Sequence, residues 1–328
     1  MSSLLFLKLL AIFVVVAIGW VVGRLKWLGE ADVARTLSNA AFYIYIPALL
    51  FRTMVRLDVS NLPWSTLAAF FGPALALLLG VYLWQRHVRR HSEQAAALRV
   101  TAPSVRAMTS AFGNNVQVGL PLVAALFGEP GLAIHIAIIS LHSLVLMTSA
   151  TVLAESDLAR ERHRDGEGDG RWRALLVTAR STLIHPVVLP ILCGLAWQAV
   201  FGPLPALADE ILLTLSQAVI PLCLVLIGLS LAQYGIRGNL RQAAVLVALK
   251  LFLLPAVVLL VARWGLGLDG VPLAVVVMAA ALPIGVNALI FAQRYEALEA
   301  EATSSVVLST LGFMLTAPLW LAILAALG

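Results

Sequence analysis

The sequence predicts an all-α membrane protein of ten transmembrane helices, arranged as two five-helix halves of opposite orientation. Three observations carry this. The chain of 328 residues is 61% hydrophobic and only 12% charged, whereas a soluble globular chain carries about 25% charged residues. Mean hydropathy is +0.96, so a soluble fold would lack the polar residues to cover its surface. The apolar residues fall in ten stretches near the length of about 20 residues that a helix needs to cross a bilayer, at 3–23, 33–54, 63–85, 101–127, 131–155, 174–200, 205–232, 240–263, 270–292 and 302–327. The ten-residue alternating segments of a transmembrane barrel do not occur.

Each stretch has its own signature. The first follows Met1-Ser2-Ser3, which is not a basic leader, contains Lys8 and lacks a small-x-small cleavage site, so a retained helix is expected. The second carries Ile46-Pro47-Ala48-Leu49. The fourth holds Gly113, Asn114, Asn115, Gln117, Gly119 and Pro121, and the fifth holds His135 and His142, seven apart and on one face. A polar segment, 156–173, with Gly166, Gly168 and Gly170 among charges, reads as a solvated linker. It separates residues 1–155 (spans one to five) from 174–328 (spans six to ten). The sixth stretch has Arg180, His185 ahead of Pro186, Gly194 and Trp197; the seventh Ile220-Pro221-Leu222; the eighth Lys250 and Pro255; the ninth Pro283, Gly285 and Asn287. Cys193 and Cys223 both lie in apolar runs and imply no disulfide framework.

The halves match in order. Pro47 in span two answers to Pro221 in span seven, Pro121 in span four to Pro283 in span nine, and Gly19-Trp20 in span one to Gly194 and Trp197 in span six. An odd number of spans per half inverts the second half. Inverted repeats with interrupted helices at corresponding positions mark secondary transporters, with the binding site at the interruptions. Proline removes a backbone donor, and unwound backbone inside a membrane needs protein or a watery cavity to satisfy it. If spans four and nine cross at their breaks, their free N–H groups and positive helix ends share one space suited to an anion. Asn114, Asn115, Gln117 and Asn287 are the candidate substrate ligands, and Gly119, Pro121, Pro283 and Gly285 the expected breakers. The competing reading is that the amides only cap broken helix ends.

Charge sets topology. With the amino terminus outside, the inner connections collect 14 Lys and Arg residues and the outer ones 3 (Arg52, Arg56 and Arg263). By the positive-inside bias this places both termini outside the cytoplasm. It also explains an isoelectric point near 9.6 without a nucleic-acid partner. All 17 acidic residues lie in connections or at span ends, which disfavours a cation carrier built on a buried carboxylate. Lys250 and His142 are the buried groups suited to a charge or proton role, while Arg106 and Arg180, near span starts, read as snorkelling. No metalloprotease His-Glu-x-x-His, no Gly-x-Ser-x-Gly elbow, no membrane aspartate pair and no P-loop occur, so neither an enzyme nor an ATP-driven pump is expected. No cofactor and no metal are expected.

Pro47-Ala48-Leu49-Leu50-Phe51, Asn114 ahead of Gly119-Leu120-Pro121, Leu126-Phe127-Gly128, Pro221-Leu222 with Leu226-Ile227-Gly228, Leu249-Lys250-Leu251 with Pro255, and Pro283 through Asn287 to Tyr295 together resemble the auxin efflux carrier family. The short linker resembles its bacterial branch, which includes malonate and malate permeases, and this resemblance implies the inner (plasma) membrane of a bacterium. The resemblance implies a fold like bile-acid symporters and sodium/proton antiporters, with broken helices four and nine crossing. Spans one, two, six and seven would form a dimerising scaffold, and spans three to five and eight to ten a moving transport domain. It implies elevator-type transport of a small organic anion by a homodimer in the lipid bilayer, with Asn114, Pro121 and Asn287 at the crossover. Plant carriers place a proline where this chain has Ala288. An ion-coupled symporter of a larger organic anion, or a membrane sensor that binds an acid without moving it, remain the alternatives.

Overall fold

The computed structural model describes residues 3–29, 33–56, 63–91, 98–164, 188–234 and 239–327. Among them the chain is helical, and a single isolated antiparallel bridge, Gly113 with Ile284, is the sole β-type pairing. The α-helices are α1 Ser3–Arg24, α2 Val33–Ala40, α3 Ile46–Arg56, α4 Trp64–His91, α5 Ala102–Ala111, α6 Leu120–His142, α7 Thr148–Arg164 and α8 Val188–Phe201. They continue with α9 Ala206–Gln217, α10 Val219–Tyr234, α11 Leu240–Ala248, α12 Leu254–Leu260, α13 Gly270–Ala281, α14 Val286–Arg294 and α15 Glu299–Leu327. Four helical stretches are long and apolar enough to cross a membrane, Trp64–His91, Asn115–Leu158, Leu240–Gly265 and Glu299–Leu327; shorter apolar helices include Val14–Arg24, Leu192–Phe201 and Gly270–Ala281. The longest stretch is divided by Gly128, whose φ of 63° and ψ of −158° suit a residue without a Cβ. That turn separates the fourth apolar stretch of the sequence from the fifth. Arg180 and His185 lie outside the described residues.

Proline mostly does something milder here than break a helix. Five turns among the described residues are wound as π-helix, and three of them, Ala41–Tyr45, Asn115–Gly119 and Leu249–Leu253, end two residues ahead of a proline (Pro47, Pro121 and Pro255), whereas Ser143–Met147 and Val261–Gly265 have no proline there. The ring has no N–H to donate and clashes with the carbonyl one turn earlier. Widening that turn relieves the clash while the helix continues. Pro283 acts differently. It forces Leu282 into extended geometry (φ −56°, ψ 148°), as expected for a residue preceding proline, and the helix ends.

The helices pair closely. α1 runs along α10, α8 along α3, α4 along α5, and α12 along α13, while α15 packs on α11, α13 and α14. At two points along the α1–α10 contact glycine sets the distance. A Cβ on Gly19 would sit 2.3 Å from the Val225 carbonyl oxygen, and one on Gly228 would sit 2.1 Å from that of Val16. Backbones approach to contact there because small residues allow it, which is how helices gain packing energy in lipid, where burial of apolar surface supplies none. Two apolar clusters result. The smaller joins Ile46, Leu50, Met54, Val219 and Leu226 to Leu120, Ile136 and Ile139 of α6. The larger gathers α4, α5, α7, α12, α13 and α15. Thus α6 touches both.

Ionic links tie one end of the larger cluster together. Arg106 of α5 donates to both oxygens of Glu301 of α15, at 2.8 and 2.9 Å, and to Gln85 of α4 at 2.8 Å. Arg106 therefore does not snorkel: Glu301 is only 4% exposed, and the fork-to-fork geometry satisfies both partners inside the bundle. Tyr82 of α4 donates to Asp157 of α7, and Tyr295 donates to Glu155.

Candidate functional site

Two helices lose their geometry at the same place. In the fourth apolar stretch the chain leaves α5 at Phe112 (ψ 111°), stays non-helical through Asn114 (ψ 62°), and winds again from Asn115. In the ninth it leaves α13 at Leu282 and winds again at Val286. The two gaps lie against each other as short antiparallel extended segments. Asn114 N–H donates to the Pro283 carbonyl at 2.8 Å, and Gly285 N–H donates to the Phe112 carbonyl at 3.0 Å. A third donor, the Ile284 N–H, finds the Ser309 hydroxyl of α15 at 3.0 Å. Each interruption thus satisfies backbone groups that the other leaves open, which is the condition for unwound chain at membrane depth.

Absence of side chains permits this approach. A Cβ on Gly285 would lie 3.0 Å from the Gly113 carbonyl oxygen and 3.0 Å from the Phe112 ring. On Gly113 it would lie 3.1 Å from Asn115 Nδ2 and 3.4 Å from Lys250 Nζ.

Beside the paired segments is a cavity lined by Gly113, Asn114, Asn115, Gln117, His142 and Asn287, with Phe112, Val116, Ile139, Ser143, Gly285 and Val286 completing its wall. The volume open to the centres of water-sized spheres is about 20 Å³, room for one or two waters. An organic acid therefore requires the cavity to widen. The first turns after both interruptions, at Asn115 and at Val286, border it. Such turns leave N–H groups without intrahelical partners and carry the positive end of the helix dipole.

The amides are not equivalent. Asn114 caps the helix that follows: its Oδ1 accepts from Gln117 N–H at 3.2 Å, and its Nδ2 donates to Gln117 Oε1 at 3.1 Å. Asn115 donates to the Gly113 carbonyl at 3.4 Å, while its Oδ1 is buried without a partner. Asn287 is 9% exposed and borders the cavity. His142 rests on the Phe112 ring at 4.3 Å between centroids, and its Nε2 is also buried without a partner. His135 lies one step back, with Nε2 2.9 Å from the Asn115 carbonyl, so it holds the turn that holds Asn115. Lys250 is buried, and its Nζ donates to the carbonyl of Ala280 at the end of α13.

The structure therefore brings Asn114, Asn115, Gln117, Asn287 and His142 to one cavity, with Gly285 on its wall and Pro283 in the paired segment. Gly119 and Pro121, read from sequence as breakers, lie beyond the interruption in wound helix. Gly119 instead gives His135 room to approach, since a Cβ there would meet His135 Nε2 at 2.4 Å. Three contributors were not singled out in the sequence. Phe112 and Ile284 supply backbone, to which any residue type contributes alike. Ser309 is one of several hydroxyls along α15, and its neighbours Ser305 and Thr310 bond only their own helix. No cluster of three or more His, Cys, Asp or Glu residues suited to a metal ion occurs among the described residues.

The sequence model of a family described as "Membrane transport protein" matches residues 4–321. The chain is 26% identical to an "Uncharacterized transporter" of Methanothermobacter thermautotrophicus over 323 residues, covering 96% of this chain and 97% of the relative. It is 26% identical to the "Uncharacterized transporter YfdV" of Escherichia coli K12 over 324 residues, covering 95% of each. It is 23% identical to a "Putative malonate transporter" of Rhizobium meliloti over 313 residues, covering 92% of this chain and 90% of the relative. The match spans both interruptions and nearly every helix between the chain's ends, so this integral membrane protein belongs to the membrane transport protein family, the auxin efflux carrier family that its sequence resembles.

Proposed function

We propose that the protein is a secondary carrier of small organic anions, carboxylates of the malonate or malate class, working by an elevator-type motion. The observation that carries the reading is the crossover. Two interrupted helices are bonded through Asn114–Pro283 and Phe112–Gly285, and they enclose a cavity rich in amides with no carboxylate on its wall. Amide donors and positive helix ends stabilise an anion without adding a fixed charge to the membrane interior. The relative named for malonate favours a short dicarboxylate.

Helix pairing supports the moving-domain reading. α1 on α10 and α8 on α3 are the contacts that two inverted halves would make with each other, as are α4 on α5 and α12 on α13 within the halves. In this scheme α1–α3 and α8–α10 form the fixed scaffold, where a homodimer forms, and α4–α7 with α11–α15 move. The Arg106–Glu301–Gln85 and Tyr82–Asp157 links would then hold the moving bundle as one body. The protein would sit in a bacterial inner membrane with both termini outside.

The test is uptake of labelled malonate and malate by proteoliposomes, with Asn114→Ala and Asn287→Ala beside the wild type. Loss of flux in both variants, each still eluting as one monodisperse species, is expected. Full flux in both refutes the crossover as the substrate site.

A further inference from the structure

The second feature of the crossover is a buried lysine with no carboxylate partner among the described residues. Lys250 is 1% exposed, in the π-wound turn Leu249–Leu253. Its Nζ donates to Ala280 O and sits 3.4 Å from the point a Cβ would occupy on Gly113. It thus lies at the carboxyl ends of both first half-helices, α13 directly and α5 just past Phe112. Those ends offer partial negative charge, well short of a full counter-ion.

Among the described residues no carboxylate supplies the rest. The turn packs against α5, α13 and α15 and is flanked by α11 and α12. The charged groups on these elements are Arg106, Glu299, Glu301 and Arg241, with Asp269 just before α13 and paired to Arg263. Glu301 is held by Arg106, and lies eight residues, about 12 Å along the helix, from Ser309 at the crossover. Glu299 is farther still and Arg241 is at the far end of α11. From α6, His142 lies within electrostatic reach, and it is not an anion. A buried ammonium inside a membrane without a counter-charge is strongly disfavoured. A carboxylate in the cavity, whose wall includes Gly113, would provide one.

Resting on the reading of the crossover as an anion site, we infer that Lys250 couples the carrier to protons: it gains a proton when a carboxylate occupies the crossover and loses it when the site empties. The N–H bond forms with a proton from water on the face where the anion enters, and breaks to water on the face where it leaves. One proton accompanies each anion. A monoanion then crosses without net charge, and a dianion carries one negative charge. The empty carrier returns with a neutral amine, which avoids moving a bare cation through the bilayer.

The test uses malonate and three proteins: wild type, Lys250→Arg and Lys250→Met. In wild-type proteoliposomes an imposed pH gradient should drive accumulation by about tenfold per pH unit for each coupled proton. Malonate added to weakly buffered, detergent-purified protein should produce proton uptake. Arginine keeps the charge and does not release it. Lys250→Arg should therefore retain malonate–malonate exchange, yet lose both the pH-driven accumulation and the proton uptake. Lys250→Met should fold, judged by monodisperse elution, and bind malonate at least about tenfold more weakly, the equivalent of 1.4 kcal/mol. Wild-type flux indifferent to the pH gradient, or pH-driven accumulation that survives in Lys250→Arg, overturns the inference and leaves the anion site standing. No binding or flux of any mono- or dicarboxylate by wild type overturns the anion site and the inference together.

Discussion

The crossover depends on two glycines that face each other, and replacing each with alanine should have different consequences. The added Cβ at Gly285 would stand 3.0 Å from the Gly113 carbonyl oxygen, 3.0 Å from Phe112 Cδ1 and 3.2 Å from the Gly113 carbonyl carbon. These are backbone atoms and a packed ring, and the contact is roughly 0.5 Å inside the distance at which carbon contacts become favourable. The two segments can yield only by separating. That stretches the Asn114–Pro283 and Gly285–Phe112 bonds, now 2.8 and 3.0 Å. Overpacking costs about 1–3 kcal/mol and each weakened bond a further fraction of about 1 kcal/mol, so Gly285→Ala should lose about 2–4 kcal/mol. At Gly113 the nearest atoms to the new one would be the side-chain ends of Asn115 and Lys250, at 3.1 and 3.4 Å. These can shift, so Gly113→Ala should cost under about 1 kcal/mol of stability, yet displace two groups beside the cavity and reduce flux. Gly72→Ala and Gly80→Ala on α4 are the controls, since a Cβ at either meets nothing within 4 Å. The assay pairs thermal denaturation of the purified protein with malonate uptake. Gly285→Ala melting within about 2 °C of wild type with undiminished uptake would refute the argument that backbone pairing builds this site.

Three further outcomes follow from the packing. Gly228→Ala places a Cβ 2.1 Å from Val16 O and 2.4 Å from Trp20 N, so α1 and α10 must part; folded yield after detergent extraction should collapse, and normal yield would contradict the close pairing. Arg106→Ala leaves Glu301, 4% exposed, without its cation and should destabilise by about 3–5 kcal/mol, whereas the double variant Arg106→Met with Glu301→Leu should recover most of the loss in a melting series. Ser309→Ala removes the acceptor of the buried Ile284 N–H, a cost of about 1–3 kcal/mol, with uptake falling more than in Ser305→Ala, whose hydroxyl bonds only Glu301 O of its own helix.

The residues that locate the site were visible in the sequence, but their division of labour was not. Asn114, Gln117 and Asn287 stand out because amides are scarce in apolar stretches, and each borders the cavity. Pro121 stands out equally and yet does not mark the break. Its missing donor is absorbed by the π-wound turn Asn115–Gly119, and the chain unwinds instead at Phe112–Asn114, where the partner segment supplies hydrogen bonds. Arg106 invites a surface reading because its partner, Glu301, lies 195 residues away.

Composition and the spacing of apolar residues are local properties, so the sequence alone determined that the chain is helical, lies in a membrane and carries interruptions in its fourth and ninth apolar stretches. Unwound backbone is stable in a membrane only where another segment answers its N–H and C=O groups. Where the chain opens, which carbonyl Lys250 reaches and which hydroxyl serves Ile284 are therefore properties of pairs of segments far apart in sequence, and the tertiary structure decided them.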